Sequence, residues 1–414
     1  MKTTRRDFLK HGLGATTLLA SGATFPLFLG KSAHALSRTP EDERILVVVQ
    51  LSGGNDGLNT IIPYRDDAYR KARPTIAIPE SQVLRLDDDL GLHPELAGLK
   101  RLYDEGQLGV IGNVGYPNPD RSHFRSMDIW HTASVEPERA QTGWLGRFAD
   151  AAGHAHGGKA ARDDIRPPAA LHLDDTSLPL ALAARESSIP SIRDIESFRL
   201  RGATSEMREA LAVSRPGASD DLDFVQRLAV ESCRNADRID AVADRGAKRG
   251  AYPNHPLGQR LRQVATLIGA DFGPRLYYTS IGGFDTHSRQ ALVHGPLLRA
   301  LGDSIAAFYD DLRARGLQDR VLMVTFSEFG RRVAENGSLG TDHGAAAPMF
   351  VVGPRCRPGL HGERPDLENL DSGDVRHDVD FRSVYASVLR DGLGADPKAI
   401  LGASYPKLDV VRRG

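Results

Sequence analysis

The chain has 414 residues, and its 53 basic side chains nearly cancel its 54 acidic ones. That balance excludes nucleic acid or an anionic membrane surface as the main partner, because both require a basic excess to release counterions or to meet lipid charge. Fourteen histidines leave room for metal chemistry, whereas Cys233 and Cys356 are too few and too far apart for a cysteine metal knuckle or a disulfide framework. One bridge between them in an oxidising compartment, or two separately buried thiols, both stay open.

The first segment reads Met1 Lys2 Thr3 Thr4 Arg5 Arg6 Asp7 Phe8 Leu9 Lys10, then a mild apolar stretch from Leu13 to Leu29, then Ala33 His34 Ala35. A basic start, a short apolar middle and a small-residue cleavage site are the three parts of a removable leader. The arginine pair followed by Phe8, Leu9 and Lys10 matches the twin-arginine pattern, so residues 1–35 are expected to be a twin-arginine signal and 36–43 a linker. Gly12, Gly14, Gly22 and several threonines dilute the apolar middle, which disfavours the alternative of a permanent anchor. The expectation is a chain that passes the twin-arginine translocase already folded, works in the periplasm and keeps no stable membrane span after cleavage.

Residues 44–414 are expected to form one α/β domain. Ile45 to Leu51 is an apolar run interrupted only by Gln50, fitting a strand buried on both faces, and it ends in Ser52 Gly53 Gly54 Asn55 Asp56 Gly57. A similar strand is predicted at Gln107 to Gly112, followed by a Gly and Pro loop and a helix from Ser122. Others are predicted at Leu276 to Ser280, before Gly282 Gly283 Phe284 Asp285, and at Val321 to Phe326, before Ser327 Glu328. Helical spacing appears at Leu96 to Tyr103, Leu222 to Val242, Leu257 to Ile268, Leu297 to Leu312 and Phe381 to Leu393. Strands alternating with helices predict a mostly parallel central sheet with helices on both faces. The stretch 153–216, rich in Ala, Arg, Gly and Pro, breaks that rhythm and reads as an inserted cap, with one strand-like piece at Ala170 to Leu173.

Ligands collect at the carboxyl ends of parallel strands. The polar side chains there, in chain order, are Asp56, Ser122 with His123, Asp285 with His287, Glu328, and Asp342 with His343. Carboxylates and imidazoles together suit zinc or manganese, one or two ions, whereas calcium would take oxygen alone. Each candidate has a plainer reading. Asp56 caps its own Gly turn; Ser122 is a helix N-cap, with Ser126 one turn later as the second candidate nucleophile; Glu328 pairs with Arg331 or Arg332. Arg121, Arg125 and Arg331 either grip an anion bidentately or lie solvated on the surface. Trp130, Trp144 and Phe329 read as core.

Several segments carry a resemblance: Val48 to Asn59, Gly115 Tyr116 Pro117 Asn118 Pro119, Ser122 His123 Phe124, Thr142 to Arg147, Gly283 Phe284 Asp285 Thr286 His287, Thr325 to Arg331, and Gly340 Thr341 Asp342 His343 Gly344. Over essentially the whole mature chain the sequence resembles the exported family known as DUF1501, placed among relatives of alkaline phosphatase and sulfatases. The resemblance implies an alkaline-phosphatase-like fold. It also implies a metal-dependent hydrolase or transferase acting on a phosphate or sulfate ester, of a small molecule or a glycan. By motif position Asp56 resembles the first metal-binding acid and Ser122 the nucleophile. Asp285 and His287 resemble ligands of a second metal, His343 the last histidine, and Glu328 the strand-end acid. Phe329 departs from the pattern, since a metal-binding histidine is expected there; one of two ions is then lost or weakened, or completed by Asp342. The competing expectation is a non-catalytic binding or structural protein with a degenerate metal site.

Overall fold

The computed structural model describes residues 44–155, 168–195 and 250–413. The leader, the linker, the predicted helix at 222–242 and Cys233 lie outside them. Cys356 is buried, which pushes its thiol pKa up to about 12.

The strands in chain order are β1 (Ile45–Leu51), β2 (Ile61–Pro63), β3 (Leu84–Arg85), β4 (Leu90–Leu92), β5 (Leu108–Gly115), β6 (Ala170–Leu173), β7 (Ser191–Ile192), β8 (Leu276–Ile281), β9 (Val321–Phe326), β10 (Ala347–Val352), β11 (Gly359–His361) and β12 (Val379–Asp380). Strands β2 to β4 form a small separate sheet, and the main sheet runs β11-β5-β10-β9-β1-β8-β6-β7, with β12 also on β5. Every pairing in the main sheet is parallel except the two made by β10, which runs antiparallel to β5 and β9. The fold is therefore a mostly parallel α/β sheet with a single reversed strand.

The described helices are α1 (Asp67–Ala72), α2 (Ala97–Asp104), α3 (His123–Thr132), α4 (Trp144–Ala155), α5 (Pro256–Gly269), α6 (Gln290–Ala314), α7 (Phe381–Ser387) and α8 (Pro397–Leu401). Because successive strand side chains point to opposite faces, β1 feeds two cores. Val47, Val49 and Leu51 pack with apolar residues of α2, α5 and α6, while Leu46 and Val48 pack with those of α3, α4 and α7. An apolar run without alternation is the price of burial on both faces. Trp130 stacks on Phe381 with ring centroids 4.4 Å apart, and Trp144 on Tyr385 at 4.1 Å, so both tryptophans belong to the second core.

Within the described part of the 153–216 stretch, β6 and β7 join the main sheet. Strand β6 pairs in parallel with β8, and β7 with β6, extending the sheet at one edge.

Candidate metal centre

One edge of the sheet gathers the chemistry. The carboxyl ends of parallel β1, β5, β8 and β9 and the amino end of reversed β10 all open there, so loops distant in sequence meet. The turn after β1 comes close because Gly53 and Gly54 hold φ of +121° and +79°, which side chains disfavour. A Cβ on Gly53 would run into the backbone at Phe284–Asp285, and one on Gly54 into the ring of Phe329.

Arg331 fastens these loops together. It is buried, and it donates to the carbonyls of Gly53, Gly54, Phe284 and Thr341 and to Asp285 Oδ1 at 2.7 Å. Arg331 therefore grips no solvent-borne anion: its N–H groups are spent within the chain.

Four of the residues expected at strand ends converge. His287 Nε2, His343 Nε2 and Asp285 Oδ1 form a triangle with sides of 2.9, 3.0 and 3.1 Å. His123 Nε2 faces the other oxygen, Asp285 Oδ2, at 3.5 Å. Each imidazole is held from behind by its Nδ1. His343 Nδ1 lies 2.8 Å from the carbonyl of Arg121, His123 Nδ1 lies 2.9 Å from Glu328 Oε1, and His287 Nδ1 lies 3.4 Å from Asp342 Oδ1. Since a carbonyl or a carboxylate only accepts, each Nδ1 carries a proton, and a ring with that proton alone turns a lone pair inward from Nε2.

Acceptors thus face acceptors, with Arg331 the one donor to Asp285 among them. Such an arrangement is stable only with a proton or a cation among the lone pairs. A tetrahedral zinc ion with bonds of about 2.0–2.1 Å separates its ligand atoms by roughly 3.3 Å, close to the sides of the triangle. These donors fit a divalent cation. Burial raises the pKa of Asp285, but the hydrogen bond and charge of Arg331 lead the effects that outweigh it and hold the carboxyl at about 2, so it stays anionic. The Glu328 hydrogen bond, against the effect of burial, raises His123 above its ordinary value.

The remaining candidates fall elsewhere. Asp56 is fully buried and pairs with Arg73 Nη1 at 2.7 Å, and Gln290 donates to the same oxygen. Burial pushes its pKa up, but Arg73 and its hydrogen bonds leave it below the ordinary value. Its other oxygen accepts from Asn59 N at the following short turn. Asp56 is thus a structural acid and no part of the cluster. Glu328, also expected as a ligand, is buried and accepts from Gly53 N and His123 Nδ1, both at 2.9 Å, so it stands one residue outside the cluster. Asp342 stands likewise behind His287, itself held by Asn336 Nδ2 at 3.0 Å. Ser126 is buried, bonded to Tyr116 and to the carbonyl of Glu328.

Ser122 is exposed at the N-cap of α3, and its side chain makes no capping hydrogen bond. Its chain neighbours both touch the cluster, Arg121 through its carbonyl and His123 through its ring. Phe329 is buried with its ring against His123 and His343, centroids 4.9 and 4.6 Å away. It forms an apolar backing to the cluster where the family resemblance led one to expect a ligand.

Fold and site together define a mostly parallel α/β protein with a histidine and carboxylate cluster at the strand ends. The chain belongs to the family described as Protein of unknown function (DUF1501), whose model matches residues 43–404. No curated protein matches it in sequence. Among solved structures it is similar to the C-terminal periplasmic domain of EcEptC from Escherichia coli in complex with Zn, at 10% identity over 76% of this chain and 74% of that one, with a TM-score of 0.37. It is also similar to PsFucS1 sulfatase from Pseudoalteromonas sp., at 10% identity over 87% and 72%, TM-score 0.36. A protein in the alkaline phosphatase superfamily from Vibrio parahaemolyticus matches at 8% identity over 78% and 63%, TM-score 0.34. What the cluster can do rests on its own atoms.

Proposed function

We propose that this chain is an exported metal-dependent hydrolase or transferase acting on phosphate or sulfate esters, of small molecules or glycans. The observation that carries the reading is the convergence of three imidazole Nε2 atoms on Asp285, each ring locked by an acceptor behind it. His123, His287, His343 and Asp285 would hold one divalent ion. Nitrogen-rich donors favour zinc over manganese, and carboxylate or carbonyl partners behind metal-binding histidines are the usual support of such sites. His287 and Asp285 are nearly half exposed, at 44% and 47% of their side-chain surface, which suits a site that admits substrate better than a closed structural one. A divalent ion there would act as a Lewis acid toward an anionic ester and acidify a nearby hydroxyl. Ser122 would supply that hydroxyl: its Oγ attacks phosphorus or sulfur, the bond to the alcohol breaks and the alcohol leaves with the proton, and water or a second alcohol then takes the group from Ser122 and returns a proton to its Oγ. Export rests on Arg5, Arg6, Phe8, Leu9 and Lys10.

The second reading, a non-catalytic protein with one metal, is favoured by the loss of a second ligand set: Asp56 is locked to Arg73, and Phe329 is a hydrocarbon. Elemental analysis of protein exported in vivo, paired with a panel of aryl phosphates and sulfates, separates the two. The enzyme reading expects about one zinc per chain and turnover that Ser122→Ala abolishes while the zinc stays. A metal-free chain without turnover would sink it, and zinc without turnover would favour the second reading.

A further inference from the structure

The rim of the cluster carries charge that the metal reading leaves unused. Asp374 is buried between Arg121 and Arg332. Arg121 places Nε and Nη2 on one oxygen, Oδ2, at 3.0 and 2.6 Å. Arg332 Nε stands 3.9 Å from Oδ1, and that buried oxygen has no hydrogen-bond partner among the described residues. Two guanidinium groups thus share the Asp374 carboxylate, and the acids Asp371 and Asp342 also lie close enough to act on this group of charges. Arg121 and Arg332 are substantially exposed, at 38% and 41%.

Both arginines are also fixed to the cluster by their backbones. The carbonyl of Arg121 accepts from His343 Nδ1, and the N–H of Arg332 donates to the carbonyl of Asp342 at 3.0 Å. The neighbouring basic groups are committed elsewhere: Arg125 pairs with Glu138 and Asp120, and Arg331 is buried among carbonyls.

We propose that Arg121 and Arg332, seated on Asp374, form an anion-binding subsite beside the metal cluster, so that the substrate is an ester bearing a second anionic group, as in a multiply sulfated or phosphorylated compound. The proposal rests on the ester reading above. A guanidinium held along one edge by a carboxylate still presents its other N–H groups in a fixed plane, which matches the oxygens of sulfate or phosphate two at a time. Arg332, loosely held, turns toward such an anion without giving up a hydrogen bond.

The test is calorimetric titration of the full chain with benzenesulfonate and benzene-1,3-disulfonate, stable mimics of aryl sulfates, at fixed ionic strength. The disulfonate is expected to bind roughly tenfold more tightly, the worth of one charge-assisted contact. Arg332→Gln and Arg121→Gln each remove that preference, and Arg332→Lys keeps part of it because lysine offers charge without the planar fork. Arg332→Gln leaves Asp374 paired with Arg121, so it reports on the subsite even if Arg121→Gln fails to fold. Equal affinity for the two probes, binding of neither, or a preference unchanged in Arg332→Gln overturns the proposal. A preference for the disulfonate in a chain that turns over no ester would keep the subsite and sink the hydrolase, so the two failures are distinguishable.

Discussion

Asp56 and Asp285 stand just beyond the ends of paired parallel strands, β1 and β8, yet they do opposite work. Asp56 is enclosed with its own counterion, since Arg73 brings a guanidinium that also bonds Asn59 Oδ1 and the carbonyls of Val333 and Arg332. Asp285 is half exposed, shares Arg331 with four carbonyls, and turns toward three imidazole lone pairs. An acid whose charge is answered from within holds the loops, while one left facing other acceptors is set to take a cation.

The sharpest way to break that comparison is to remove each acid. Asp56→Ala leaves Arg73 charged and unpaired in the interior, which costs about 3–5 kcal/mol. Denaturant unfolding should show this loss while zinc content per folded chain stays unchanged. Loss of zinc with little change in stability would make Asp56 a ligand after all. Asp285→Ala is expected to do the reverse.

Chelation is the next largest effect. An ion that binds only the folded chain stabilises it by about 2.7 kcal/mol at a hundredfold excess over Kd and about 4.1 at a thousandfold. Stripping the metal should therefore lower Tm in the wild type. His343→Ala, which has little metal to lose, should show almost no further drop with chelator.

Much of this was legible in the sequence. Strands β1, β6 and β9 and the core of α5 follow from mostly apolar runs and helical spacing, because the residues that bury a surface also announce it. Asp285, His287 and His343 stood out in the sequence because acids and histidines recur together at successive strand ends, although each such pair alone is common. What stayed hidden was pairing over distance. Nothing in Arg73 marks it as the partner of Asp56, and nothing in Glu328 says that its arm stops at His123 rather than joining the cluster. Those outcomes depend on loop approach at Gly53 and Gly54, which a linear pattern does not encode.

Histidine itself sharpens the same contrast, for some imidazoles serve no cluster. His131 is buried against Gln50 and Tyr278, and burial lowers its pKa to about 3. Its folded pKa lies below the unfolded value of about 6.5, so the stability is complete above that pH and is lost as pH falls toward 3. The share of His131 in the slope is about 1.4 kcal/mol per pH unit, or roughly 2 kcal/mol between pH 6.5 and 5, and His294, His93 and His172, whose pKa values burial also lowers, add to it. Urea midpoints measured on metal-free protein should move accordingly, and His131→Gln should flatten the slope. An unchanged slope would mean that another group controls acid sensitivity.

The smallest effects lie one shell outward, where the two supporting acids can be ranked. Replacing partners behind metal-binding histidines weakens affinity by roughly 10- to 100-fold. Glu328→Gln keeps the shape, and its one carbonyl oxygen can still accept from both Gly53 N and His123 Nδ1, so only the charge is lost. The decrease should fall near tenfold in a metal-buffered competition titration. Asp342 is more than half exposed and lies 3.4 Å from His287 Nδ1. A longer contact in water orients its ring less, so Asp342→Asn should cost less than Glu328→Gln. If the order reverses, His287 rather than His123 is the ligand whose orientation governs the site, and the triangle of His287, His343 and Asp285 would hold the ion without His123.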